Sequence, residues 1–135
     1  MSFRKKKVIG IVPAKKSSSR VKNKNIQKIK NIRLFEITIL NAIKSKFIDE
    51  IIVTSNSKLI LDRSKKLGVK VLSRPENLCR NDTDANQVIG HMIDKLDNKL
   101  INSNPYLVYL QPTSPLRKST HIDQAFKTLK KNHHN

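Results

Sequence analysis

The run Val8-Ile9-Gly10-Ile11-Val12-Pro13-Ala14 carries no charged or hydrogen-bonding side chain, and it ends at a proline followed by a polar cluster. A continuous apolar run of this length, without alternation, fits a strand covered on both faces, the situation of a parallel sheet packed between helices. It is far short of the ~20 residues that a membrane span needs. Arg4-Lys5-Lys6-Lys7 gives it a basic lead, yet it runs straight into Lys15-Lys16 with no small-x-small cleavage pattern. It therefore reads as a strand and not as a signal peptide.

The same grammar repeats downstream. Between about Leu34 and Lys46, Ile37, Leu40, Ala42 and Ile43 recur near helical spacing, with Phe47 just beyond, and Glu50-Ile51-Ile52-Val53-Thr54 follows as a second buried strand. Ser57 is placed to cap a helix whose last turn holds Lys65 and Lys66, Gly68 stands where a left-handed residue is wanted, and Val69–Leu72 makes a third strand. Asp82 or Thr83 can open a helix showing Val88, Ile89, Met92, Ile93 and Leu96 on one face, and Tyr106–Leu110 is the fourth strand. Ser119 or Thr120, with Asp123, signals a last helix through Ala125, Phe126 and Leu129. Strands alternating with helices over such connections predict an α/β fold with parallel strands and right-handed crossovers. Only Lys15 to Asn31 lacks periodicity and is read as a basic loop.

Composition bounds the rest. A chain of 135 residues makes one domain with a single core, and aromatic residues are only 4 % of it, so that core is aliphatic. The balance of 28 basic against 10 acidic residues, a net charge of +18, suits nucleic acid, an anionic surface or a phosphorylated substrate equally. The kind of charge points away from nucleic acid: 21 lysines against 7 arginines, spread along the chain with few aromatics between them, lack the forked donors and stacking platforms of such readers. Cys79 stands alone, so no intrachain disulfide forms and a reducing, cytoplasmic setting is expected, with no membrane attachment. No histidine, cysteine or aspartate spacing resembles a zinc site.

Ligands of open parallel sheets sit beyond the carboxyl ends of the strands, and two of those segments stand out. After the first strand, Lys15-Lys16-Ser17-Ser18-Ser19-Arg20, with Lys22 and Lys24-Asn25, supplies cations and hydroxyls suited to a polyphosphate, as well as to plain solvation. After the fourth, Gln111-Pro112-Thr113-Ser114-Pro115-Leu116-Arg117 sets a rigid turn between two prolines. Asp82-Thr83-Asp84 spells a D-x-D pair, although two carboxylates there are also what the first turn of a helix favours.

Together these segments resemble one family, the acylneuraminate cytidylyltransferases or CMP-sialic acid synthetases, with their legionaminic and pseudaminic acid relatives. The resemblance is carried by Ile11-Val12-Pro13-Ala14 with Ser18, Lys24 and Asn25, by Arg74-Pro75 with Leu78 and Asp82-Thr83, and by Gln111–Arg117. It covers this chain but only the N-terminal portion of a family member, which would make residues 1–135 a single truncated nucleotidyltransferase domain with a basic lead, 1–7, and a polar tail, 130–135.

The resemblance implies a Rossmann-like, glycosyltransferase-A-like fold with a mainly parallel sheet. It implies transfer of CMP from CTP to a nine-carbon, sialic-acid-like sugar with release of pyrophosphate, for surface glycan synthesis. Lys15 and Lys24 take the catalytic positions. Lys15, Ser18, Lys24, Asn25, Arg74, Thr83 and Asn86 fall at the nucleotide, and Gln111 at the sugar. Lys15 stands where an arginine is usual, exchanging a planar fork for a point charge. Mg²⁺ is expected, with the family's D-x-D carboxylates and dimer-forming extension falling after Asn135, so a homo-oligomer or a complementing chain is a further expected partner. Two other functions stay open: a basic nucleotide- or RNA-binding module without catalysis, and a non-functional gene remnant.

Overall fold

In the computed structural model of the chain, residues 6–15, 28–29, 32–80, 82–96 and 98–112 are described. Ser18, Lys24, Asn25, Thr113–Arg117 and the expected terminal helix lie outside them.

Four of the strands are those expected from the apolar runs: β1 (Val8–Pro13), β4 (Glu50–Ser55), β5 (Lys70–Ser73) and β6 (Tyr106–Tyr109). They form one sheet in the order β5-β4-β1-β6, and every neighbouring pair is parallel. The first helix is α1 (Leu34–Lys44), the second α2 (Lys58–Lys66), the third α3 (Ala85–Lys95), and a short α4 (Asn98–Asn102) precedes β6. The chain thus steps outward twice from β1, through α1 and α2, and then returns through α3 and α4 to the other side of β1. With right-handed crossovers, that reversal puts α1 and α2 on one face of the sheet and α3 on the other.

The two cores follow that division. Val8, Val12, Ala14, Ile51, Val53 and Leu110 pack with Phe35, Ile39 and Ala42 of α1 and Ile60 of α2, whereas Ile9, Ile11 and Ile52 pack with Met92 of α3. Alternate residues of β1 therefore serve opposite layers, as a strand's two-residue period requires. Gly10 is where the backbone must come close: a β-carbon there would stand 3.3 Å from Ile48 and 3.4 Å from Leu110.

Three expectations need correction. The stretch read as a basic loop, Lys15 to Asn31, holds β2 (Lys28–Ile29), which pairs antiparallel with β3 (Ile32–Arg33) just beyond it; two-residue strands are too short to show alternation. The buried stripe of α1 is Phe35, Ile39 and Ala42; Leu40 and Ile43 are exposed, because a helix apolar on most of its circumference does not announce which side meets the sheet. And α3 is capped by Asp84, not by Asp82 or Thr83.

Local chemistry explains the other ends. Ser57 caps α2 by accepting from the Ile60 N–H at 3.3 Å, and Gly68 takes φ +87° just past its last turn. α1 has no side-chain cap. It is held instead through Glu36, a buried carboxylate that accepts from Arg33 at 3.3 Å and from Arg63 of α2 at 3.2 Å.

Candidate functional site

The strand order reverses between β1 and β6, and the crevice expected beyond the carboxyl ends at such a switch point is where open α/β sheets bind ligands. Lys15 follows β1 and Gln111 follows β6, so the two segments singled out in the sequence flank it. Ala14 and Leu110 point into the α1 layer, and the strand period then turns Lys15 and Gln111 toward the α3 side. By the strand period, Thr54 in β4 and Arg74 just past β5 fall on that same side.

Arg74 is 5 % exposed. Its N–H continues the ladder by donating to the Ser55 carbonyl at 2.8 Å, while Nη1 donates to the Leu78 carbonyl at 3.2 Å and Nη2 to the Thr54 carbonyl at 3.4 Å. The guanidinium thereby pins the turn Glu76–Leu78 against the end of β4. Its Nε and the Thr54 hydroxyl are buried without a hydrogen-bond partner among the described residues. The positive charge acts on two neighbours. Burial pushes the Cys79 thiol up from its ordinary 9.0, partly opposed by Arg74 and Lys15. Burial likewise raises the Tyr109 phenol above 10.0, opposed by Arg74 and by a hydrogen bond with the Gln111 side chain. Arg74, Lys15, Cys79, Tyr109 and Gln111 thus belong to one neighbourhood, and Cys79 is a half-buried thiol held in its protonated form.

The remaining sequence candidates flank it. The Thr83 hydroxyl accepts from the Arg80 N–H at 3.1 Å, closing the turn that leads into α3. Asp84 accepts from the Gln87 N–H at 2.8 Å while the Gln87 side chain accepts from the Asp84 N–H at 2.9 Å, a complete capping box. Asn86 is exposed in the first turn of α3. Tyr109, the last residue of β6, went unnoticed in the sequence; it packs against the core cluster on the α3 side of the sheet.

Among the described residues the carboxylates near this end of the sheet are engaged with their neighbours. Glu76 accepts both 3.1 Å bonds of the Asn56 amide, Asp84 is engaged as a cap, and among the described residues no three His, Cys, Asp or Glu side chains converge. A cavity of about 350 Å³ lined by Ile43, Ile48, Ile51, Leu67, Asp49 and Glu50 lies at the amino ends of β4 and β5. It is at the opposite end of the sheet from these residues.

A parallel sheet reversed at β1, with helices on both faces and Lys15 and Gln111 beyond the carboxyl ends of β1 and β6, is an open, Rossmann-like α/β architecture. Residues 9–135 match the cytidylyltransferase family, and the chain belongs to it. It is 32 % identical over 121 residues to an N-acylneuraminate cytidylyltransferase of Escherichia coli O18:K1:H7, covering 90 % of this chain and 28 % of that protein. It is 30 % identical to a CMP-N,N'-diacetyllegionaminic acid synthase of Legionella pneumophila, covering 92 % of this chain and 53 % of the relative. The chain therefore spans between about a quarter and a half of these curated relatives. Among solved structures, a CMP:2-keto-3-deoxy-manno-octonic acid synthetase complexed with CTP superposes with a TM-score of 0.70 at 16 % identity, covering 93 % of this chain and 48 % of that one. A cytidylyltransferase from Leptospira borgpetersenii gives 0.67 at 21 % identity, covering 96 % and 51 %. These likenesses establish the nucleotidyltransferase fold. Among the described residues no helix is long and apolar enough to cross a membrane.

Proposed function

We propose that this chain is the nucleotide-binding part of a cytidylyltransferase that transfers CMP from CTP to a nine-carbon ulosonic acid, releasing pyrophosphate, in surface glycan synthesis. The observation that carries the proposal is that Lys15 and Gln111 follow the carboxyl ends of the neighbouring strands β1 and β6, where the strand order reverses, in a chain of this family. In such a transfer the sugar's anomeric hydroxyl attacks the α-phosphorus in line while pyrophosphate leaves, so the protein chiefly positions the reactants and balances charge. Lys15, at the end of β1, supplies a cation for the triphosphate. Ser18, Lys24 and Asn25 continue that task in the proposal, and Arg74, Thr83 and Asn86 form the nucleotide side of the crevice. Gln111 faces the sugar.

The test is a thermal melt of the chain with CTP, ATP and GTP. A ligand that binds only the folded state adds RT ln(1 + [L]/Kd), about 2.7 kcal/mol at a hundredfold excess over Kd. A rise in Tm selective for CTP and diminished in Lys15→Ala is the expected outcome, followed by pyrophosphate release with candidate ulosonic acids. Equal response to all three nucleotides, or tighter and steeply salt-dependent binding of RNA, overturns the proposal.

A further inference from the structure

The cavity at the amino ends of β4 and β5 lies at the opposite end of the sheet from the crevice, and the function proposed above makes no use of it. Closer to the crevice α1 and α2 are tied together: Glu36 meets Arg63 at 3.2 Å, and Ile39 and Ile60 share one core. One turn further along α1 the helices leave space. Ile43 and Leu67 line the cavity, and Ile43 is 47 % exposed whereas Ile39 is fully buried. Ile48, Ile51 and Val69 complete an apolar wall, and a β-carbon at Gly68 would meet nothing within 4 Å. At about 350 Å³ the space falls within the range of small-molecule pockets. Its polar lining is Asp49, Glu50 and Lys70. Asp49 Oδ2 accepts from the Val8 N–H at 2.7 Å. Glu50 gives Oε1 to Lys70 at 2.9 Å, but its Oε2 is buried with no hydrogen-bond partner among the described residues. Two carboxylates thus stand against one ammonium, in a chain whose net charge is +18. The last turns of α1 and α2 border the same space and bring the negative ends of both helix dipoles to it.

We propose that this cavity binds a small organic cation: an apolar body lies against Ile43, Ile48, Ile51 and Leu67, and its ammonium group sits between Asp49 and Glu50. Lys70 is 61 % exposed, so its ion pair contributes little and Glu50 turns toward a ligand at small cost. The gain is a partner for Oε2, a buried acceptor that otherwise forfeits the hydrogen bond it made with water. Lys44, Lys65 and Lys66, in the last turns of the two helices, are exposed, and salt screens their repulsion over about 8 Å.

The test is an NMR titration of the ¹⁵N-labelled chain with benzylammonium, benzyl alcohol and phenylacetate, which share a ring and differ in charge. With benzylammonium, amide shifts are expected at residues 43, 48–51 and 67–70, saturating with a Kd on the order of 1 mM, within the efficiency of so small a probe. Benzyl alcohol binds about tenfold more weakly, the margin of a hydrogen bond to a charged group, and phenylacetate does not bind. Glu50→Gln, which keeps the side chain's shape, lowers the benzylammonium affinity to that of the alcohol. Lys70→Ala, which removes the competing cation at an exposed site, tightens binding about two- to fivefold. No shifts at these residues, equal affinity for the three probes, or weaker binding by Lys70→Ala overturns the proposal. So do shifts of the same residues when the protein alone is concentrated, which assign this face to a second copy of the chain. The probe comparison in the wild type decides the matter even if a variant fails to fold, and no outcome depends on whether the chain binds CTP.

Discussion

Arg74 concentrates most of the crevice chemistry in one side chain. A guanidinium that is 5 % exposed has lost most of its hydration, and its compensation comes from two carbonyl oxygens and not from a carboxylate. The planar fork is what allows one residue to reach Leu78 and Thr54 together; a lysine ammonium offers a single point of donation. Arg74→Ala is expected to cost about 2–3 kcal/mol in urea unfolding, the size of a charge-assisted hydrogen-bond loss offset by relief of a buried charge. Arg74→Lys falls between it and the wild type. If both variants unfold at the wild-type midpoint, the guanidinium does not pin the turn. The sequence singled out Arg74 through the family motif it resembles. It could not place its nitrogens, because a main-chain carbonyl is available at every residue and leaves no mark in the side-chain pattern.

Among the elements, the ends of α2 and α3 are set locally and those of α1 are not. Ser57 and Asp84 each satisfy an N–H of their own helix, so Ser57→Ala and Asp84→Ala are each expected to lose about 1 kcal/mol of stability by urea titration. A loss below about 0.3 kcal/mol in both, against the typical cap value, removes capping as the reason these helices begin where they do. Ser57 was legible as a cap because the serine precedes the first apolar turn. The start of α3 was read one or two residues early, at Asp82 or Thr83, since Asp82, Thr83 and Asp84 are all good caps and only the reciprocal bond with Gln87 distinguishes the last. α1 depends on its packing and on the Glu36 contacts with Arg33 and Arg63, both of them long-range or weakly patterned in sequence. Its buried stripe was misread for the same reason: Leu40 and Ile43 are as apolar as Ile39, and only the sheet decides which side is covered.

For the molecule as a whole, two raised acids link stability to alkaline pH. Burial is the main cause at both Cys79 and Tyr109, so the folded state keeps protons that the unfolded chain releases near 9.0 and 10.0. Their contribution is complete below pH 9 and is lost as pH rises through the higher folded values. The urea midpoint of the wild type is therefore expected to fall relative to that of Cys79→Ala as pH goes from 8 to 10; a constant difference contradicts burial as the cause. The sequence by itself determined the four strands of the main sheet, because short apolar runs bounded by polar turns suit strands covered on both faces. Only the tertiary structure decided the order β5-β4-β1-β6, the turn of Arg74 and Thr54 toward α3, and hence which strand ends border the crevice. Strand order depends on which face each crossover helix covers, a choice made by packing between residues far apart in the chain, and no local pattern encodes it.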